Sequence, residues 1–361
     1  MDEGALDAAV KMPPLVMRFG AFGDIVLLTI LLRQLHARFG KPVDLISSGP
    51  WTQPLLEGQP SLGRLFLIRS RRTPYWMSLE QRRLVAWLRE RGAGPTWFCD
   101  MNLGKDLLNR GGIPDGYICD SRWFKFRPEE GFADRFIRLA NVTPPAFAGR
   151  LPAPHPAVSR AAQIILSATD RAEADKWLAR RGLTGRPFIV VHPGSRHMAR
   201  RGLRSREGLD KYWPEARWGR VISSVRDLRP DHAVLLSGTP KEHRFNADIM
   251  ASSAATDVHN VADDFPIRTL LPVLERAHSM ISVDTGPAHA AAALGCPTVA
   301  LFGNIPATLY RPGGATTPAV AVTGTVDGVQ NILGITVESV IAAWLDLIRS
   351  AEMPEGHSVK S

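Results

Sequence analysis

The chain has 361 residues, of which 45% are hydrophobic and 22% are charged. These fractions are typical of globular proteins and argue against a largely disordered chain. The length predicts about two domains of ordinary size. Three well-separated cysteines, Cys99, Cys119 and Cys296, argue against a disulfide framework and a four-ligand structural zinc site, and they fit a reducing compartment.

The net charge is +9 at pH 7, which indicates anionic partners such as phosphates, acidic glycans or an anionic membrane surface. A solvated basic surface without any such partner is the alternative explanation. The sequence has no zinc-finger, ribonucleoprotein or basic-zipper motif, so we expect no nucleic-acid partner. It has no signal peptide and no apolar run of membrane-spanning length, so we expect a cytoplasmic protein.

Short apolar segments alternate with helical patterns through the first half of the chain. A first strand is predicted at 14–19, followed by a glycine-rich segment at 20–23 and a helix at 25–39 with apolar residues at helical spacing. The remaining predictions in this half are strands at 43–47, 65–68 and 96–100 and a helix at 79–91.

The second half repeats this alternation, with strands predicted at 188–192, 233–238, 279–283 and 298–303 and a last helix at 337–349. Buried strands joined by helices form parallel sheets with right-handed crossovers, so the predicted fold class is α/β with two doubly wound domains. The proline-rich stretch Pro144–Pro156 predicts the boundary. The predicted organisation is a domain at 1–155, a domain at 156–350 and a disordered polar tail at 351–361.

The most informative motif contains Asp284, Thr285, Gly286, Pro287 and His289 and continues into an alanine-rich helix. Open α/β sheets bind ligands at the carboxyl ends of their strands, and the free amides of a helix N-terminus suit a diphosphate. Asp284 can accept hydrogen bonds from sugar hydroxyls. A plain N-cap with a proline in the first turn is the alternative, but it leaves Asp284 and His289 unexplained.

The segment 20–24, with sequence G-A-F-G-D, joins the first predicted strand to the first helix. It matches neither the dinucleotide-binding glycine pattern nor a Walker loop. Asp24 stands at the expected N-cap of the helix, and its spacing favours a capping role. A carboxylate at this strand end would also face an interdomain cleft, where a general base belongs.

Two further segments follow predicted strands in the second half. Gly194 and Ser195 suit contact with a phosphate, and Lys211 would add a positive charge. The basic stretch Arg196–Arg206 is either a loop over an anionic ligand or a solvated surface loop. Glu242 comes just after another strand end, where it could accept hydrogen bonds from ribose hydroxyls.

Other catalytic signatures are absent from the sequence. It lacks a G-x-S-x-G hydrolase elbow, an H-E-x-x-H zinc motif, paired C-x-x-C motifs and an Asp-x-Asp pair of the kind that metal-dependent sugar transferases use. We therefore expect no metal site.

Together, these motifs resemble glycosyltransferase family 9, the ADP-heptose:lipopolysaccharide heptosyltransferases. The resemblance rests on R-x-G-x-x-G-D-I-V-L at 18–27, H-P-G-S followed by K-Y-W-P, L-L-S-G-T-P-K-E, and S-V-D-T-G-P-A-H-A-A-A-A-L-G-C-P-T-V-A-L-F-G. Their order and approximate spacing match the family over nearly the whole chain.

The resemblance implies a GT-B architecture, in which two Rossmann-like domains face a central cleft, with the acceptor on the N-terminal domain and the nucleotide-sugar donor on the C-terminal one. It implies an inverting, metal-independent transfer, most often of heptose from ADP-heptose to a hydroxyl of a lipopolysaccharide core or related glycan, with no other cofactor. Asp24 matches the family's catalytic base. The implied donor contacts are Gly194, Ser195, Lys211, Glu242, Asp284, Thr285, Gly286 and His289.

The link between Ser195 and Lys211 is longer and more basic than the family's usual one, and an arginine of this insert is the alternative to Lys211 as the phosphate contact. Family acceptors are anionic glycolipids, so we expect basic residues of the first half to hold the acceptor at the inner membrane surface. The residues predicted for this role are Arg71, Arg72, Lys105 and Arg122. Scattered surface charge is the alternative.

Two other functions are compatible with the same motifs. One is a nucleotide-sugar-binding protein that has lost turnover, and the other is a sugar-nucleotide epimerase of GT-B fold. Transfer that is abolished by replacing Asp24 would exclude the first. Product that forms only when an acceptor is supplied would exclude the second.

Overall fold

The computed structural model describes residues 3–70, 73–100, 104–195, 209–262, 266–313 and 319–352. The chain divides into two compact units, Met1–Ile165 and Leu166–Ser361. Each unit contains a parallel β-sheet whose strands are joined by helices, which confirms the predicted α/β class. Within the described ranges, no helix is both long enough and apolar enough to cross a membrane.

The first unit is built on one parallel sheet. Its strands are β1 (Leu15–Met17), β2 (Val43–Ser47), β3 (Leu62–Leu67), β4 (Thr96–Phe98) and β5 (Ile118–Asp120). Its helices are α1 (Glu3–Val10), α2 (Phe22–Phe39), α3 (Thr52–Leu56), α4 (Leu79–Arg91), α5 (Lys105–Arg110) and α6 (Phe132–Ala140). The strand order is β3-β2-β1-β4-β5. The winding reverses between β1 and β4, and sheets of this kind bind ligands at the carboxyl ends of the strands at such a point.

The second unit repeats this winding with one more strand. Its parallel strands are β6 (Phe188–His192), β7 (Ala233–Leu236), β8 (Val258–Asn260), β9 (Ser279–Val283), β10 (Thr298–Leu301) and β11 (Ala319–Val322), and a hairpin of β12 (Thr325–Val326) and β13 (Val329–Gln330) follows them. Its helices are α7 (Ala168–Ala179), α8 (Glu215–Leu228), α9 (His243–Ser252), α10 (Ile267–Arg276), α11 (Gly286–Ala293), α12 (Ala307–Tyr310) and α13 (Val337–Glu352). The strand order is β11-β10-β9-β6-β7-β8, so the winding reverses between β6 and β9.

The central strands are buried along their whole length. Every residue of β1, β4, β6 and β9 is buried, as expected for parallel strands covered on both faces. In the second unit the buried Trp344 of α13 donates from Nε1 to the Ser279 hydroxyl at 2.9 Å. This bond fixes the last helix against the beginning of β9, the strand that leads into the most informative motif.

The proline-rich stretch that predicted the domain boundary belongs to the first unit. The Gln34 amide of α2 donates to the backbone oxygen of His155 at 2.8 Å. The Arg33 guanidinium, one residue earlier, donates to that of Ala161 at 3.1 Å. Helix α2 thus holds the backbone of this segment, and the first compact unit runs to Ile165.

The last helix is longer than predicted. It continues through Ala351 and Glu352, which the sequence assigned to the polar tail. Arg229 donates to the Glu352 carboxylate at 2.7 Å and fixes this end of the helix. The rest of the predicted tail, 353–361, lies outside the described residues.

Candidate active site

The carboxyl edge of the second sheet, here called the donor edge, gathers the residues predicted to bind the donor. Strands β6 and β9 are direct neighbours, and His192 pairs in register with Ser282. The segments that follow these two strands therefore begin side by side. One contains Gly194 and Ser195, and the other begins at Asp284.

Asp284 is a buried carboxylate held between a lysine and a histidine. Lys211 Nζ donates to its Oδ2 at 2.7 Å and also to its backbone oxygen. His289 Nε2 lies 3.7 Å from Oδ1. Burial alone would raise the pKa of Asp284, but the His289 ring and the Lys211 ammonium outweigh burial and lower that pKa. Asp284 is therefore ionised at neutral pH, and it holds the charge of Lys211 at the donor edge.

Helix α11 begins at the same edge. Thr285 is its N-cap residue, yet its hydroxyl makes no capping bond and lies 3.1 Å from the Ser282 hydroxyl. Pro287 has no N–H, and the amides of Gly286 and Ala288 lie in the first turn, where the helix itself offers no acceptor. A plain N-cap therefore does not explain Thr285, and the first turn can donate to a diphosphate.

Gly194 lies against the carboxylate of Glu242. A Cβ atom at residue 194 would stand 2.3 Å from Glu242 Oε1. The other oxygen, Oε2, accepts hydrogen bonds from the Thr239 amide at 2.7 Å and the Thr239 hydroxyl at 2.8 Å. Glu242 thus closes a capping box, a structural role that the sequence analysis did not assign to it.

Two buried polar atoms at the donor edge have no hydrogen-bond partner among the described residues. They are Ser195 Oγ and His289 Nδ1. Buried polar groups in native proteins are almost always hydrogen-bonded, so both atoms are available to a partner that the described residues do not supply. His192, which the sequence analysis did not include in the site, lies beside them with Nδ1 3.0 Å from the Ser237 hydroxyl. Burial lowers the pKa of His192, although the Glu242 carboxylate opposes that shift.

Asp24, the predicted base, lies at the carboxyl edge of the first sheet. We call this edge the base edge after that prediction. Helix α2 begins at Phe22 and not at the predicted Ile25, so the N-cap residue is Ala21 and Asp24 occupies the first turn. Asp24 Oδ2 accepts a hydrogen bond from the Ala21 amide at 2.8 Å. The expectation that Asp24 is the N-cap residue is therefore wrong. Its carboxylate still caps the helix, because from the first turn it accepts the hydrogen bond of the N-cap amide.

The second oxygen of Asp24 is paired with Arg18. Arg18 Nη2 donates to Asp24 Oδ1 at 3.0 Å, while Nη1 donates to the backbone oxygen of Cys99, just beyond β4. Gly20 leaves room for this arrangement, because a Cβ atom there would stand 2.5 Å from Asp24 Cβ. Arg18 is part of the R-x-G-x-x-G-D motif, so the signal for its role was present in the sequence.

The predicted acceptor cations Lys105 and Arg122 converge on one buried carboxylate. Arg122 donates to Asp120 Oδ1 at 2.9 Å and to Oδ2 at 2.5 Å, and Lys105 Nζ lies 3.6 Å from Oδ2. Burial would raise the pKa of Asp120, but the hydrogen bonds from Arg122 outweigh it and lower that pKa. Lys105 also pairs with Asp115 at 3.2 Å. Much of the positive charge assigned to the acceptor is therefore balanced within the protein.

Comparison with known proteins identifies the family. The family model "Glycosyltransferase family 9 (heptosyltransferase)" matches residues 148–325. Lipopolysaccharide heptosyltransferase 2 of Salmonella typhimurium is 22% identical over 295 residues, which cover 78% of this chain and 80% of that protein. The matched residues, 148–325, belong to glycosyltransferase family 9. The protein is accordingly a glycosyltransferase, and the resemblance read from its motifs is confirmed.

Solved structures share the fold of this chain. An ADP-heptose lipopolysaccharide heptosyltransferase II of Escherichia coli has a TM-score of 0.71 at 21% identity, over 95% of this chain and 100% of that one. A family 9 glycosyltransferase of Veillonella parvula has a TM-score of 0.75 at 16% identity, over 94% of this chain and 98% of that one. These similarities confirm the GT-B class.

The predicted site residues of this glycosyltransferase lie at the donor edge, at the base edge and at the end of β5, and some lie outside the described residues. The donor edge carries all eight predicted donor residues, Gly194, Ser195, Lys211, Glu242, Asp284, Thr285, Gly286 and His289. The base edge carries Asp24, and Lys105 and Arg122 meet at the end of β5. The predicted Arg71 and Arg72 and the basic stretch Arg196–Arg206 lie outside the described residues. In the part of the glycosyltransferase that is described, no cluster of three His, Cys, Asp or Glu side chains could hold a metal ion.

Proposed function

We propose that the protein transfers heptose from ADP-heptose to a hydroxyl of the lipopolysaccharide core, with inversion at the anomeric carbon and without a metal ion. The observation that supports this proposal is the contact of Lys211 with the buried Asp284, itself beside the buried His289, next to the first turn of α11. In this proposal the second unit binds the donor and the first unit binds the acceptor. The protein acts in the cytoplasm, in peripheral contact with the inner membrane, and has no nucleic-acid partner.

The donor edge would stabilise the departing ADP. As the bond to the anomeric carbon breaks, negative charge grows on the diphosphate, and preorganised donors stabilise such charge without reorganisation. The Lys211 ammonium, held in place by Asp284, supplies N–H donors, and the amides of Gly286 and Ala288 supply partial positive charges. Ser195 Oγ and His289 Nδ1, both buried and unpartnered among the described residues, would hydrogen-bond to donor oxygens.

The base edge would remove the proton of the acceptor hydroxyl. Asp24 accepts this proton as the hydroxyl oxygen forms its bond to the anomeric carbon and the bond to ADP breaks on the opposite face. A carboxylate is a weak base, but the proton can move late, after the attacking oxygen has become acidic. Arg18 and the Ala21 amide each occupy one Asp24 oxygen, and each oxygen keeps a second lone pair for the hydroxyl.

The substitution Asp24→Asn tests this proposal, because asparagine keeps the shape and the capping acceptor while removing the base. We expect transfer from ADP-heptose to a heptose-free core acceptor to fall by about a hundredfold or more, since general base catalysis contributes about 10²–10⁴-fold. ADP release and acceptor glycosylation measure this activity. Wild-type transfer by this variant, or product that forms without acceptor, would overturn the proposal.

Asp170→Asn is the matched control. Asp170 also closes a capping box in the first turn of a helix, with Ser167, and it also pairs with an arginine, Arg268. Both substitutions therefore weaken a bond from an N-cap amide and an ion pair with an arginine, and Asp170→Asn also weakens a bond from the Ser167 hydroxyl. An equal loss of activity in both variants would assign the effect of Asp24→Asn to folding and not to catalysis.

A further inference from the structure

Among the described residues of the first unit, four large apolar side chains are more than half exposed. Trp76 and Trp123 are each 74% exposed, Met77 is 58% exposed and Leu79 is 53% exposed. Single exposed apolar residues are ordinary on protein surfaces. Here three of the four fall within residues 76–79, and two are tryptophans, whose large rings are costly to leave in water.

The two exposed segments flank the same short helix, α5. Cζ of the Arg110 guanidinium lies over the ring of Tyr75, 4.7 Å from the ring centroid. Lys105 Nζ lies 5.7 Å from the ring centroid of Trp123. Lys105 and Arg110 are the first and last residues of α5, a helix about 9 Å long. We call Trp76, Met77, Leu79 and Trp123 together the aromatic surface.

The sequence around residues 76–79 contains more basic than acidic residues. Residues 69–83 include five arginines and one acidic residue, Glu80. Residues 122–127 include three basic residues, of which Arg122 is paired with Asp120. The side chains of Arg82 and Arg83, which follow the first segment directly, are exposed. Exposed aromatic side chains surrounded by cations fit an anionic surface that has an apolar interior.

We propose that the aromatic surface docks on a bilayer that contains anionic phospholipid. Tryptophan favours the level of the lipid headgroups, where its ring meets apolar chains and its N–H meets polar groups. The exposed Arg82 and Arg83, close to residues 76–79 in the chain, are attracted to the lipid phosphates. A bilayer adapts to protruding side chains such as Trp76 and Trp123, whereas a protein partner would need a pocket for each. The proposal rests on the proposed function only for its purpose, which is to bring the protein to a lipid-linked acceptor.

Co-sedimentation of the full chain with vesicles tests the proposal. The vesicles contain phosphatidylethanolamine and phosphatidylglycerol, or phosphatidylcholine alone, and both kinds are free of lipopolysaccharide. We expect binding to the anionic vesicles only, and weaker binding at high salt because the screening length falls from about 10 Å at 0.1 M to about 3 Å at 1 M.

Substitutions in the aromatic surface sharpen the test. Trp76→Ser with Met77→Ser, and Trp123→Ser alone, should each weaken vesicle binding about tenfold through the lost apolar burial. Arg82→Gln should weaken it about fivefold, the value of one cation near an anionic surface. Val329→Ser is the matched control, since Val329 of β13 is 69% exposed in the second unit. Thermal unfolding of every variant should match that of the wild type.

Three results would overturn the docking proposal. They are unchanged vesicle binding by the Trp76 and Trp123 variants, an equal loss in the Val329→Ser variant, and capture of an acidic protein without any binding to anionic vesicles. Transfer to a detergent-solubilised acceptor is measured separately. Vesicle binding by a wild-type protein that shows no such transfer would refute the proposed function and leave the docking surface supported.

Discussion

The donor edge and the base edge hold their carboxylates in different ways. The Asp284 side chain is 8% exposed and lies between Lys211 and His289. The Asp24 side chain is 23% exposed and is held by Arg18 and a backbone amide. Asp24 follows β1 and Asp284 follows β9. Each of these strands lies at the point where the strand order of its sheet reverses. The same topology therefore carries a buried, charge-balanced carboxylate in one unit and a more exposed carboxylate in the other. The difference comes from the residues that follow each strand and not from the sheet itself.

The largest effect is expected from breaking the closed site with Asp284→Asn. The Lys211 ammonium loses its ionic partner and its fixed position, so we expect donor kcat/KM to fall about a hundredfold or more, the range found when one preorganised donor is lost. The free energy of unfolding should also fall by about 2 kcal/mol, the value of a hydrogen bond to a charged group. Steady-state kinetics with varied donor and urea unfolding measure the two effects. A destabilised variant whose folded fraction keeps full activity would contradict the assignment.

Arg18→Gln probes the open carboxylate and should have the next largest effect. Asp24 keeps the Ala21 amide but loses the partner that fixes its second oxygen, so we expect kcat to fall about tenfold, with donor KM unchanged, because misplaced catalytic groups lose rate. Arg18→Lys should recover only part of the rate, since an ammonium cannot span the backbone oxygen of Cys99 and the carboxylate as a guanidinium does. Arg268→Gln, which unpairs the equivalent capping carboxylate Asp170, should leave kcat unchanged. A rise in donor KM that matches the loss of kcat would count against a positioning role.

A methyl group at residue 194 makes a finer change at the donor edge. In Gly194→Ala the new Cβ would meet Glu242 Oε1, and Thr239 prevents that carboxylate from moving freely. We expect donor KM to rise several-fold and the free energy of unfolding to fall by about 1–3 kcal/mol, as in other overpacked sites. Gly313→Ala is the control, because a Cβ there meets nothing within 4 Å. Equal kinetics for the two variants would show that Glu242 does not contribute to donor binding.

The smallest effect is expected from a chelator. If Lys211 and the first turn of α11 neutralise the departing diphosphate, transfer should continue at the wild-type rate in excess EDTA. The measurement is ADP release with and without EDTA, before and after dialysis. A loss of activity that magnesium or manganese restores would show that the donor edge needs a cation beyond Lys211.

Much of the fold could be predicted because its strands are buried on both faces. Segments such as 43–47, 188–192 and 279–283 are mostly apolar, and the structure has strands with these same bounds. The start of α2 was not predictable in the same way. Gly20 and Gly23 indicate a turn, but the bond from the Ala21 amide to the Asp24 carboxylate extends the helix back to Phe22.

The site was predictable in its local motifs and not in its long-range pairs. The residue types at 284–289 indicate a strand end followed by a helix start, and the structure has both. The pairing of Lys211 with Asp284 joins residues that are 73 positions apart, and no local pattern reveals it. The same holds for Lys105 and Arg122, whose shared partner Asp120 turns a predicted anion-binding surface into a balanced cluster. The catalytic and binding roles themselves stay predictions that the substitutions above test.

If Asp24 is the catalytic base, the capping bond on its carboxylate bears on which acceptor hydroxyl is glycosylated. Ordering a mobile side chain on binding costs about 0.5–1.5 kcal/mol, but the Asp24 rotamer is already set by the Ala21 amide and Arg18 in the folded protein. A base fixed in this way cannot turn toward whichever hydroxyl is nearest. Among the several hydroxyls of an acceptor sugar, only one that is seated within about 3 Å of the carboxylate loses its proton. The regioselectivity of the transfer would then follow from a helix-capping bond.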